Sequence, residues 1–93
     1  MPLRKLSKSI SSEDILELLE QLGFYVENVT ATDGDWVIKH KTKVAMHGKN
    51  YITVPRYNVI SPDLVKQVLY LISDKFDISN EQIMKSGWKL FSL

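Results

Sequence analysis

Phe24-Tyr25-Val26-Glu27-Asn28-Val29-Thr30-Ala31-Thr32-Asp33-Gly34-Asp35-Trp36-Val37-Ile38-Lys39-His40-Lys41-Thr42-Lys43-Val44 is the stretch on which the fold turns. Its two ends are rich in aromatic and β-branched residues, and residues 31–35 between them hold an Asp-Gly pair, so the reading is strand, tight reversal, strand. Residues 24–30 form the first strand and 36–44 the second. Side chains alternate between faces along a strand, which places Lys39, Lys41 and Lys43 together on one face as a cationic ridge. His40 then shares the other face with Trp36, Ile38, Thr42 and Val44.

Downstream, residues 45–50 contain Gly48 and supply a second reversal. Tyr51-Ile52-Thr53-Val54-Pro55 follows as a third short strand, ended by a proline that cannot donate to a ladder. Three strands joined in series by short turns predict an antiparallel meander. Upstream, Ile15, Leu18, Leu19 and Leu22 repeat with helical spacing. Ser11 is placed to cap that helix, Asp14 stands at its third position, and Gly23 stops it. On the C-terminal side, Ser61-Pro62-Asp63 opens a second helix running to about residue 75, with a wide apolar stripe of Leu64, Val65, Val68, Leu69, Leu71 and Ile72. Ser79 and Gln82 predict a capping box for a last short helix that Gly87 closes. The sum is an α+β domain ordered helix, three strands, helix, short helix, with both main helices on one face of the sheet.

A chain of 93 residues that is 44% hydrophobic suffices for one modest core, so residues 10–93 read as a single domain. Residues 1–9 are basic and have little to bury, which predicts a disordered arm. Cysteine is absent, so neither a disulfide framework nor a thiolate metal site can form, and a cytoplasmic address fits. No apolar run approaches the roughly 20 residues of a membrane helix. No cofactor or metal is expected: His40 and His47 are too few, and no carboxylates stand at ligand spacing beside them.

Charge is where function enters. From Ser11 to Asp35 there are seven acidic residues and no lysine or arginine, whereas from Trp36 to Ile60 there are five basic residues, two histidines and no acid. A net charge of +1 therefore hides two opposed fields. Lys39, Lys41, Lys43, Lys49 and Arg56 are the candidate nucleic-acid-binding residues, suited to phosphate contacts that are insensitive to sequence and weakened by salt. The plainer reading of the lysines is a solvated sheet face guarded against edge pairing. Trp36, Tyr51 and Tyr57 either stack on bases or form ordinary cross-strand pairs. His47 reads as solvated in its turn. Glu13, Glu17 and Glu20 line one helix face, either simply solvated or a docking surface for a basic partner. Trp88, Leu90, Phe91 and Leu93 make an apolar tail that either packs back or meets a partner or a second copy.

The order of these elements, with residues 12–24 for the opening helix and its stop, Trp36-Val37-Ile38-Lys39-His40 for the middle strand, Ile52-Thr53-Val54-Pro55 for the third, residues 61–71, and Ile78-Ser79-Asn80-Glu81-Gln82, resembles the HicA-like (YcfA-like) toxins. These are small mRNA interferases with a fold like the double-stranded-RNA-binding domain. The resemblance spans residues 10–87 and rests on order and spacing more than on any one motif. It implies RNA as the partner, endoribonuclease activity, and a HicB-like antitoxin protein. The family carries its catalytic histidine in a Gly-Ser-His-His pattern before the middle strand, where this chain reads Thr32-Asp33-Gly34-Asp35-Trp36. Aligned on Lys39-His40, the position falls on Asp35, and Arg56 fills the basic or histidine position after the third strand. Cleavage by the family's route needs a group that both takes and gives a proton. The expectation is therefore an RNA-binding protein whose catalysis is either lost or rebuilt around His40 or Asp35. A non-catalytic protein-interaction module, using the acidic helix or the apolar tail, is the competing expectation.

Overall fold

A computed structural model describes residues 10–29, 34–87 and 90. The first helix, α1, spans Ser12–Gln21. It begins where expected because Ser11 and Asp14 form a reciprocal box: the Asp14 N–H donates to Ser11 Oγ at 3.2 Å, and the Ser11 N–H donates to Asp14 Oδ2 at 3.0 Å. Its end is set by Gly23, whose φ of +96° is readily available only without a side chain. A Cβ there would also stand 2.8 Å from His40 Nε2, so helix end and strand end are fitted to one another.

Strands β1 (Phe24–Val29), β2 (Trp36–His40) and β3 (Ile52–Val54) form an antiparallel sheet in the order β1-β2-β3. Phe24 pairs with His40, Val26 with Ile38 and Val29 with Trp36, and a bulge falls between Val26 and Asn28. Trp36 pairs with Val54 and Ile38 with Ile52. The expected meander is therefore present, but β2 stops at His40 rather than at residue 44.

Helix α2 spans Pro62–Phe76, capped by Ser61 with proline in its first turn, and α3 spans Asn80–Ser86, where Ser79 accepts from the Gln82 N–H at 3.1 Å. Phe24, Ile38, Ile52 and Val54 are buried in one cluster with Ile15, Leu18 and Leu19 of α1 and Val65, Val68, Leu69, Ile72 and Phe76 of α2. Residues alternating with these on the sheet, such as Tyr25 and Thr53, are exposed. Both main helices thus cover one face, as the alternation demands, and the other face is open. Ile78 and Ile83 complete the core, and α3 is drawn against α1 so closely that a Cβ on Gly87 would stand 2.6 Å from Leu18 Cδ1.

A further tie has no periodic signature in the sequence. Ile10 and Ile60 make an isolated antiparallel bridge, with the Ile60 N–H donating to the Ile10 carbonyl at 2.7 Å. Beside it Ser12, only 2% exposed, donates to the Pro55 carbonyl and accepts from the Tyr57 N–H at 2.6 Å. The first turn of α1 is thereby laced to the chain leaving β3. Of the apolar tail, Leu90 is buried in the core, whereas Trp88, Phe91 and Leu93 lie outside the described residues, as do the basic arm of residues 1–9 and residues 30–33 of the first turn.

Candidate nucleic-acid interface

His40 decides where the cations go. Its Nδ1 accepts from the backbone N–H groups of Thr42 at 3.1 Å and Lys43 at 2.9 Å, and its Nε2 lies 2.8 Å from the Leu22 carbonyl oxygen. With Nδ1 accepting, the pattern assigns the ring proton to Nε2, which donates to Leu22. Collecting two successive loop amides on one ring nitrogen bends the chain out of the extended conformation. The ring also packs edge-on to Phe24 at 4.7 Å between centroids and nearly parallel to Phe76 at 6.3 Å.

The expected ridge is corrected accordingly. Lys41 and Lys43 leave the sheet, so strand alternation no longer aligns them with Lys39. Lys39 stays on the open face and pairs with Glu27 at 2.8 Å, next to the bulge. The hydrogen bond to Glu27, opposed by desolvation and assisted by the charges of Glu27 and Tyr25, raises the Lys39 pKa above its ordinary value. Its charge is retained but locally compensated, so it contributes less to an outward positive field than its neighbours.

Lys41, Lys43 and Lys49 instead share the exposed 41–51 loop. That loop is moored to the end of α2: the Met46 N–H donates to the Lys75 carbonyl at 2.8 Å, and His47 Nε2 meets Asp74 Oδ2 at 2.9 Å. Lys75 Nζ donates to the Tyr51 carbonyl at 2.9 Å, and the Ala45 N–H to Asn50 Oδ1 at 2.7 Å. His47 is therefore not merely solvated but part of the mooring. Lys49 stands over the Tyr51 ring, 5.7 Å from its centroid.

Arg56 belongs to a separate place. It lies over the Trp36 indole at 5.7 Å, in a cleft of about 240 Å³ that Ser11, Glu13, Tyr57 and Asn58 help to line. Trp36 and His40 are the two ends of β2, so at roughly 3.3 Å per residue about 13 Å of strand separates this cleft from the lysine loop. The same spacing bears on the two catalytic candidates. Asp35 precedes Trp36 and is half-buried, which puts it roughly 16 Å along the chain from His40. Proton transfer at one phosphodiester requires groups within hydrogen-bond reach of it, so the fold does not assemble these two residues into an acid–base pair.

Glu13, Glu17 and Glu20 are all exposed on α1, and Glu13 also lines the Arg56 cleft. Among the described residues, no three of His, Asp and Glu converge as metal ligands, and no helix is long and apolar enough to cross a membrane. Sequence reasoning missed the His47–Asp74 pair and the Ser12 lacing. Partners 27 and 45 residues apart leave no local periodicity by which to find them. Set against family models, curated protein sequences and solved structures, the chain gives no match.

Proposed function

We propose that this domain binds RNA, the partner that the resemblance to HicA-like proteins implies, that it does so through the 41–51 loop, and that it does not cleave it. One observation carries the reading: three exposed lysines sit on a single loop whose two ends are held by His40 and by α2. A moored loop loses less conformational freedom on binding than a loose one, so more of the phosphate attraction remains as affinity. The acidic row on α1 repels the same polyanion and orients the encounter. Arg56 with Trp36 offers a second contact about one strand length away, where a nucleotide base of the same strand can stack, while Glu13 in the same cleft disfavours a phosphate. What supports loss of cleavage is that both ring nitrogens of His40 serve the backbone and that Asp35 stands apart from it along β2.

Salt dependence tests this. Three phosphate contacts to single-stranded RNA release about two counterions, so between 50 and 200 mM salt they account for a roughly 20-fold fall in affinity. A triple Lys41→Gln, Lys43→Gln, Lys49→Gln variant, titrated by fluorescence anisotropy against a labelled RNA, is expected to lose that part of the slope. An unchanged slope and affinity would remove the loop from the interface.

A second reading rests on the exposed row Glu13, Glu17 and Glu20. It offers a basic protein partner a docking face, the place where a HicB-like antitoxin would be sought. Charge reversal at these three positions that abolishes capture of a co-expressed partner while RNA affinity holds or rises separates the two surfaces.

A further inference from the structure

β3 is one of the two outer strands of the sheet, and side chains of α2 flank it. The side chains of Leu71 and Lys75 on α2 lie beside it, leaving a groove of about 240 Å³ against Ile52 and Thr53, with Tyr51 and Lys49 at one end. Leu71 belongs equally to a second depression, of about 430 Å³, that continues along α2 past Lys66, Gln67 and Tyr70. The two form one trough.

Three properties of this trough narrow what fits it. Its floor is apolar where α2 should show water a polar face: Tyr70 is 66% and Leu71 39% exposed. Its rim is cationic, from Lys49, Lys66 and Lys75, and Asp74, the carboxylate next to it in sequence, is held by His47 at 2.9 Å. Its inner wall is an edge strand, whose outward backbone groups have no strand partner among the described residues.

We propose that this trough is a docking site for a partner protein's extended acidic segment, which adds as a fourth strand beside β3. Its main chain pairs with the β3 edge, and the row of its side chains that turns toward α2 carries apolar residues onto Leu71 and Tyr70 and, between them, carboxylates onto Lys66 and Lys75, while the alternate row faces the open side of the sheet. A helix would present no backbone groups to the edge. A nucleic acid would meet the cations but leave Leu71 facing a phosphate chain. The site differs from the acidic face of α1 and does not depend on RNA binding, although Lys49 borders both the loop and the trough.

The test uses the full chain and a fluorescein-labelled nine-residue peptide in which every second residue is by turns glutamate and valine or leucine, with threonine between them, and a lysine-for-glutamate version as control. Binding of the glutamate peptide in the micromolar range is expected, at least tenfold tighter than the control. It should weaken at least tenfold in Leu71→Glu and in Lys66→Glu, both at exposed positions, while RNA affinity in the same variants stays within twofold. Amide resonances of residues 52–54 should shift on peptide addition. No binding up to millimolar peptide, equal binding of the control, or shifts confined to residues away from β3 would overturn the proposal. Loss of RNA rather than peptide binding in Leu71→Glu would assign the trough to nucleic acid, and overturn it as well.

Discussion

Replacing His40 by alanine separates its structural role from a chemical one. The substitution removes the hydrogen bond to the Leu22 carbonyl, worth about 1 kcal/mol in a partly buried site. It also removes the acceptor for the Thr42 and Lys43 amides, at about 0.5 kcal/mol each because they lie near solvent. The edge-on contact with Phe24 at 4.7 Å adds about 1 kcal/mol. The sum is about 3 kcal/mol, a substantial part of the 5–15 kcal/mol by which a small domain is stable. In urea, with a slope near 2 kcal/mol per molar, the unfolding midpoint should fall by about 1.5 M. His40→Phe should recover the aromatic share and lose the rest, giving a drop of about 1 M. In native-state hydrogen exchange, the Thr42 and Lys43 amides should lose protection in both variants. A midpoint shift below about 0.3 M for His40→Ala, or wild-type stability together with loss of an RNA-cleaving activity, would refute the assignment.

Two further perturbations probe the packing that positions the interface. Ser12→Ala leaves the Ser11 cap intact but strands the Pro55 carbonyl and the Tyr57 N–H in a partly buried place, so chemical denaturation should show a loss of about 1 kcal/mol. A loss under 0.5 kcal/mol would mean that the lacing contributes nothing. Gly87→Ala has no backbone penalty at φ −116° and acts only through the 2.6 Å approach to Leu18. A loss of about 1–3 kcal/mol is expected, and Leu18→Ala in the same chain should show a coupling of at least 1 kcal/mol. Strict additivity would show that the two sites do not touch.

Local chemistry made most of the architecture readable. Ser11 with Asp14, Ser61 with Pro62, Ser79, and the glycines at 23 and 87 act within one turn of the residues they organise, so helix ends could be placed from spacing alone. The paired runs around Asp33-Gly34-Asp35 gave β1, β2 and their antiparallel sense for the same reason. The error in β2 arose because period-two alternation continues through Lys41, Thr42, Lys43 and Val44, yet the chain departs from the strand there. What won was a histidine side chain competing with the ladder for backbone donors. The ridge of three lysines dissolved with it, although the cations themselves survived as a loop cluster.

What the sequence alone determined is the set of elements, their order, the buried face of each apart from Leu71 and Val44, which are exposed, and the separation of acid from base along the chain. These follow from propensity, capping and periodicity, all of short range. The tertiary structure decided which charges remain available and where. It compensated Lys39 with Glu27, gathered Lys41, Lys43 and Lys49 on a loop tied to α2, set Arg56 on Trp36 at the far end of the strand, and placed Leu71 beside an open strand edge. Each of those outcomes depends on contacts between residues distant in sequence, for which spacing along the chain carries no signal.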